Sequence, residues 1–499
     1  MDSINPFLHA PFLGGLTVFA LLLLYLRSIV LWKARTKGLP RPPGPRGLPL
    51  VGNLFDLPTH KPWLGYIDLR RKYGDIVYLE FLGSPMMVVG SARVAIELLD
   101  KRSANTSDRT PSIVADLCNV SETIVSSTFQ SVILNAVYGV HITDATDNRL
   151  SIAAAAIDSI SDATPGYFAV ELFPVLRHLP KWFPGASFHQ GFARSRAANH
   201  RLKHELFDEV KAALARGEER PCVASDLLRR AKESGESGLD PEEEEVMKNV
   251  CAVAIEGSSD TTGNTFEAFF VAMALYPEVQ KKAQAELDSV VGRDRLPDHG
   301  DKDELVYINA IVKEALRWHN VLPLGIPHRT INDDEMDGYF IPGGTSIITN
   351  VWGILHDPEV YDDPLEFRPE RFIKDGKLDP TVPDPTAFMF GFGRRQGVLK
   401  MFTACIVYLT ERCMRSTIRI CPGRHLAIPS LFINIASVLH VFDISLPLDE
   451  NGQPIQIKYE QGHGLISVPE DIRCTIKPRS AAAEALVRES LAGSAGGRM

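Results

Sequence analysis

Three short stretches of this 499-residue chain carry residue types and spacings suited to chemistry. In Ile420-Cys-Pro-Gly-Arg-His425, Cys421 stands immediately before a predicted helix, with Arg419 and Arg424 close by. Free backbone N–H groups and the positive helix end favour a thiolate there. Such a thiolate suits a nucleophile or a metal ligand, although an inert structural thiol is the commoner fate of a lone cysteine. Cys413, Cys421 and His425 do not give a four-ligand zinc spacing. The second stretch, Glu256-Gly-Ser-Ser-Asp-Thr-Thr-Gly263, interrupts a strong helix pattern with glycines and short polar side chains that compete for backbone hydrogen bonds. A local distortion is predicted, with Asp260 and Thr261 placed to pass protons to a ligand lying across the helix; a solvent-exposed kink is the competing reading. The third is Glu314-Ala-Leu-Arg317, an i to i+3 pair on an otherwise apolar helical face. With Arg371 in Phe367-Arg-Pro-Glu-Arg-Phe372, it predicts one buried carboxylate shared by two guanidinium forks.

The elements that must position these groups are mostly helical. Helical patterning runs from about Pro241 to Val291, broken at Pro277, which suits the first residue of a new helix. Further helices are predicted over Leu305–Trp318 and from Gly423 to about Val441. Ile76–Phe81 and Met86–Val89 read as a hairpin, Thr345–Asn350 as a buried strand, and Gly338–Gly344 as turn-rich. No internal repeat is present. The fold class is therefore mainly α with small β-sheets.

Composition excludes several other classes. With 45% hydrophobic and 23% charged residues the chain is globular, not collagenous, disordered or disulfide-built. A net charge of −9 argues against a nucleic-acid surface. Seven cysteines without a C-x-x-C pair point to a reducing compartment. Residues 6–26 hold no acid or base except His9, long enough for one transmembrane helix. The basic residues follow that run, from Arg27 to Arg46, so by the positive-inside rule it reads as a signal-anchor with a cytosolic body. Residues 27–49 are expected to form a basic, proline-rich hinge, with the run Leu39–Pro49 stiff and extended. Residues 50–479 are expected to form one folded body, and 480–499, rich in Ala, Gly and Ser, are predicted to be a disordered tail.

A single axial thiolate on haem iron needs only one cysteine. The three stretches, in this order, together with Pro369-Glu-Arg-Phe372, resemble the cytochrome P450 family, of the fungal microsomal type, from about Pro42 to Ile476. The resemblance implies that Cys421 is the axial ligand of haem b, and that Asp260 and Thr261 are the proton-delivery pair. It further implies Glu314, Arg317 and Arg371 as a structural triad, with Arg395 or Arg419 and His328 at the haem propionates. Activity would be insertion of one oxygen atom from O2 into an apolar organic substrate, in secondary metabolism or xenobiotic oxidation. The expected partners are the membrane of the endoplasmic reticulum and an NADPH-cytochrome P450 reductase, because no G-x-G-x-x-G loop occurs in this chain. Ser258 stands where the family usually has glycine.

Two departures from the family pattern accompany this likeness. Phe390-Gly-Phe-Gly-Arg-Arg395 is separated from Ile420-Cys421 by residues 396–419, and removing those residues restores the family's haem loop. The insert reads as translated intron, or alternatively as a basic loop on the face that receives the reductase. Between Ser107 and Ile124 the family's substrate loop and a helix bearing Trp and Arg are absent; no tryptophan lies between Trp63 and Trp182. Poor haem loading by the 499-residue form is therefore predicted. The alternatives are a haem-deficient relative serving as a membrane-bound binding protein, and a haem enzyme that rearranges its substrate without O2.

Overall fold

The computed structural model describes residues 27, 30–49, 51–109, 127–142, 146–161, 174–180, 182–183, 188–233, 240–393, 420–462 and 464–496. The proposed anchor at 6–26, the whole insert 396–419 and the seam at 110–126 lie outside them.

The proline-rich part of the hinge is strapped to the body. Pro43 O accepts from Tyr78 N–H and Pro40 O from Phe340 N–H, both at 2.8 Å. Arg41 pairs with Glu80 at 2.7 Å. A Cβ on Gly44 would stand 1.9 Å from Tyr78 O, so only glycine permits this approach. Helix α1 (Pro62–Tyr73) leads into β1 (Ile76–Phe81) and β2 (Ser84–Val89), paired from Ile76 against Val89 to Phe81 against Ser84. Leu82 and Gly83 both have positive φ, 50° and 80°, which gives the two-residue turn that matches strand twist. The hairpin is thus tighter than the four-residue gap predicted, and Pro85 lies within β2. A π-helical turn, Ile96–Lys101, and the short β3 (Asp108–Arg109) follow.

The helical body comprises α2 (Ser127–Tyr138), α3 (Asn148–Ser161), α4 (Phe188–Ala215), α5 (Val223–Glu233), α6 (Pro241–Leu275), α7 (Pro277–Val290) and α8 (Val306–Trp318). β4 (His328–Arg329) comes next, then the hairpin β5 (Asp334–Met336) and β6 (Tyr339–Ile341), then β7 (Ser346–Thr349). The main sheet has order β1-β2-β7-β4-β3, with β7 central, as its apolar run requires. Asn105 gives both side-chain functions to this region, donating to Asn332 O and accepting from Asn332 N–H.

Near the carboxyl end α9 (Arg424–Val441) is long and apolar enough to cross a bilayer. However, Leu431, Phe432, Ile435, Ala436 and Leu439 are sealed in the core with Phe269, Ile308 and Leu316, which makes it a core helix. Composition predicted a disordered tail over 480–499; its described residues are helical instead. Residues Ala481–Gly496 form α10, started by Ser480 Oγ accepting from Ala483 N–H and carrying a Glu484–Arg488 pair one turn apart. Alanine has the highest helix propensity, and that outweighed the low-complexity signal.

Helix α6 joins two cores. Cys251, Ala252 and Ile255 pack with α2, α4 and α5, whereas Phe269, Ala272 and Met273 pack with α7, α8 and α9. The polar stretch Glu256–Gly263 lies where the helix passes from one to the other.

Candidate functional site

Glu314 and Arg317 are both fully buried on α8. Arg317 donates from Nε and Nη2 to the two carboxylate oxygens of Glu314, each at 2.8 Å, and from Nη1 to Leu355 O and Pro364 O. Arg371, in the turn Pro369–Phe372, donates from Nε to the same carboxylate at 3.1 Å and from Nη1 to Asp362 O at 2.6 Å. Arg368 N–H adds a fourth donor to Glu314 at 2.9 Å. One carboxylate therefore sits among two forks whose remaining donors are taken by carbonyls, which is the condition for tolerating buried charge. Burial pushes the Arg371 guanidinium down, with Glu314 opposing and Arg317 adding to the shift.

The predicted distortion of α6 is not a break: the helix is α throughout. Its hydroxyls bond back instead. Thr261 Oγ1 donates to Gly257 O at 3.2 Å, Thr265 Oγ1 to Thr261 O at 2.9 Å, and Ser258 Oγ to Ala254 O. Such i−4 bonds satisfy the hydroxyls without interrupting the ladder. Buried Asn264 Nδ2, one turn after Asp260, has no partner among the described residues. The side chain of Asp260 lies outside the described residues.

Cys421 immediately precedes the first turn of α9. The residue is exposed, and its thiol receives N–H groups of Gly423 and Arg424. Desolvation by the surrounding protein outweighs these N–H groups and the Arg424 charge, so the thiol is raised above its ordinary value, where the helix terminus alone predicted a thiolate. The cysteine's own N–H donates to Phe390 O at 2.7 Å. The two halves of the severed loop thus meet despite the residues between them. Arg395 and Arg419 lie outside the described residues.

His328 is buried on β4, and its Nδ1–H donates to Thr106 O at 2.9 Å. This bond fixes the ring and its tautomer. Arg109, opposite His328 across β3 and β4, donates to Ile326 O and Pro327 O. A polar hollow lined by Asn135, His141, Arg149 and Arg220 lies elsewhere, and both of its arginines already pair with Glu209.

The donor set fits haem. One sulfur stands at a helix start, oriented by two N–H groups. Among the described residues no cluster of three or more His, Cys, Asp or Glu offers a competing metal site. The motif placed Phe390 in the loop before the cysteine, but the bond from Cys421 N–H to its carbonyl has no signature in sequence because it forms across the insert.

The family model of cytochrome P450 matches residues 42–122 and 115–398. The chain belongs to the cytochrome P450 family. It is 37% identical to the cytochrome P450 monooxygenase COX1 of Coprinopsis cinerea, over 92% of this chain and 95% of that protein. It is 35% identical to COX2 of the same fungus, over 91% and 92%, and 34% identical to the monooxygenase claR of Ampulloclitocybe clavipes, over 90% and 88%. The match to this P450 family divides at 115–122 and stops at 398, the two places where the sequence departs from its pattern. The COX1 alignment runs over 516 positions while taking in 92% of this chain, so several dozen of its positions face no residue here.

Proposed function

We propose that this chain is a haem-dependent monooxygenase of fungal secondary metabolism, inserting one atom of O2 into an apolar organic substrate. The observation that carries this is the Cys421 loop, closed by the bond to Phe390 O at the start of α9, in a chain whose relatives are named P450 monooxygenases. Haem held by Cys421 supplies the activation of O2, and thiolate ligation favours O–O cleavage. Cys421 would hold the haem iron through its sulfur, His328 would seat one propionate, and Arg395 or Arg419 would seat the other. Thr261 Oγ1 holds a proton that it now directs to Gly257 O and can redirect by rotation. Asp260 is its source of protons, and Glu314, Arg317 and Arg371 keep the surrounding loops in place.

Residues 6–26 anchor the protein in the endoplasmic reticulum as a single span, with the body in the cytosol. Electrons come from NADPH through a separate membrane-bound reductase. Incubation with that reductase, NADPH, 18O2 and a panel of apolar terpenoid, steroid and aromatic compounds tests the reading. One labelled oxygen in a product is expected; products carrying oxygen from water only, or rearranged without oxygen, would overturn it.

A further inference from the structure

Asp100 lies 293 residues before Gly393 in sequence, yet its Oδ1 accepts the Gly393 N–H at 2.6 Å. The carboxylate belongs to the π-helical turn Ile96–Lys101, a widened geometry that recurs at functional positions. Leu98 and Leu99 of that turn are sealed against Phe388 and Phe392, so the turn and the cysteine-approach loop share one core. Gly393 has φ 128°, a conformation that side chains rarely adopt. The neighbouring cations are directed elsewhere: Lys101 pairs with Glu97, and Arg102 with Glu97 and Asp334. Among the described residues, the Asp100 carboxylate is thereby left to the loop. Three residues before Gly393, Phe390 O accepts the Cys421 N–H.

We infer that Asp100 is a positioning residue for the Cys421 sulfur, acting through Gly393 and the Phe390 carbonyl. This rests on the reading of Cys421 as haem ligand. A hydrogen bond to a charged acceptor holds a backbone amide more firmly than a neutral one. Here it fixes the loop segment that carries the backbone acceptor of the Cys421 N–H, Phe390 O.

The test compares Asp100→Ala with Asp100→Asn, whose amide oxygen can still accept, and with Lys101→Ala as a control on the same turn. In the full-length protein without haem, Asp100→Ala should speed amide exchange at Gly393 and Cys421 roughly tenfold or more, the weight of one such bond. It should also speed alkylation of Cys421 by iodoacetamide. Lys101→Ala should stay close to the parent, and Asp100→Asn, which keeps an acceptor but not its charge, should fall between the parent and Asp100→Ala. After haem loading, the reduced carbon monoxide complex of Asp100→Ala should divide between thiolate and thiol-type bands, with Asp100→Asn partly restoring the thiolate band. If Asp100→Ala does not fold, Asp100→Glu, which displaces the oxygen by one methylene, should show the same acceleration in milder form. Parent-like exchange and alkylation in Asp100→Ala or Asp100→Glu would overturn the inference. A parent that shows the exchange pattern but no thiolate band would instead sink the assignment of Cys421 and leave the clamp standing.

Discussion

Replacing Glu314 by Gln leaves two guanidinium groups buried without their shared anion. Arg317 is fully buried and Arg371 is 5% exposed, so water cannot substitute. Removing one member of a buried ion pair costs about 3–5 kcal/mol. Glutamine keeps one acceptor oxygen, but its amide N–H groups face Arg317, Arg371 and the Arg368 N–H, all of them donors. Unfolding free energies are about 5–15 kcal/mol, so the change removes a large share of stability. Arg371→Lys should cost less, because Lys retains charge beside Glu314 but cannot also reach Asp362 O and Glu366 O. The assay is urea unfolding followed by tryptophan fluorescence, with Trp318 on α8 as the nearest reporter. A midpoint lowered by roughly 1 M in Glu314→Gln, and by less in Arg371→Lys, is expected. An unchanged midpoint in Glu314→Gln would refute the reasoning, since the forks would then be satisfied without the carboxylate.

Thr261→Ala should keep haem binding while diverting NADPH electrons into peroxide, lowering product formation by about 10²–10⁴-fold, as loss of an acid–base relay does; equal coupling in mutant and parent would reduce Thr261 to a helix residue. Deleting 396–419 should preserve the fold and raise the haem-to-protein ratio, because Phe390 and Cys421 already meet at 2.7 Å; a lower ratio or an insoluble product would show that the insert supports the site. Stability should fall as pH drops below about 6.5. Burial pushes His319 down to about 3 and His356 well below its ordinary value, so the unfolded chain takes up protons that the folded chain refuses. Each histidine then removes about 1.4 kcal/mol per pH unit, and a urea midpoint that stays flat from pH 7 to 5 would contradict this.

What the sequence made legible was local. The apolar face of α8 and the i to i+3 spacing placed Glu314 beside Arg317, Pro277 marked the start of α7, and the run at Thr345–Asn350 marked the central strand. The remainder depended on contacts with no local signature. Thr261 and Ser258 bond back within the helix, so their poor propensity produced no break. Alanine-rich residues after Ser480 form a helix because a cap and an ion pair reinforce propensity. Asp100 reads as an ordinary surface acid until the fold brings Gly393 to it. The thiol at Cys421 shows the same limit, since the helix terminus is visible in sequence while the desolvation that opposes it is not.

The central claim is that Cys421 binds haem iron as a thiolate, and the spectrum of the reduced carbon monoxide complex tests it most directly. Purified protein loaded with haem should give the red-shifted band of thiolate ligation, and Cys421→Ala should abolish it, because strong axial donation requires that sulfur. A band unchanged in Cys421→Ala, or one that disappears only when Cys405 or Cys413 is replaced, would contradict the account.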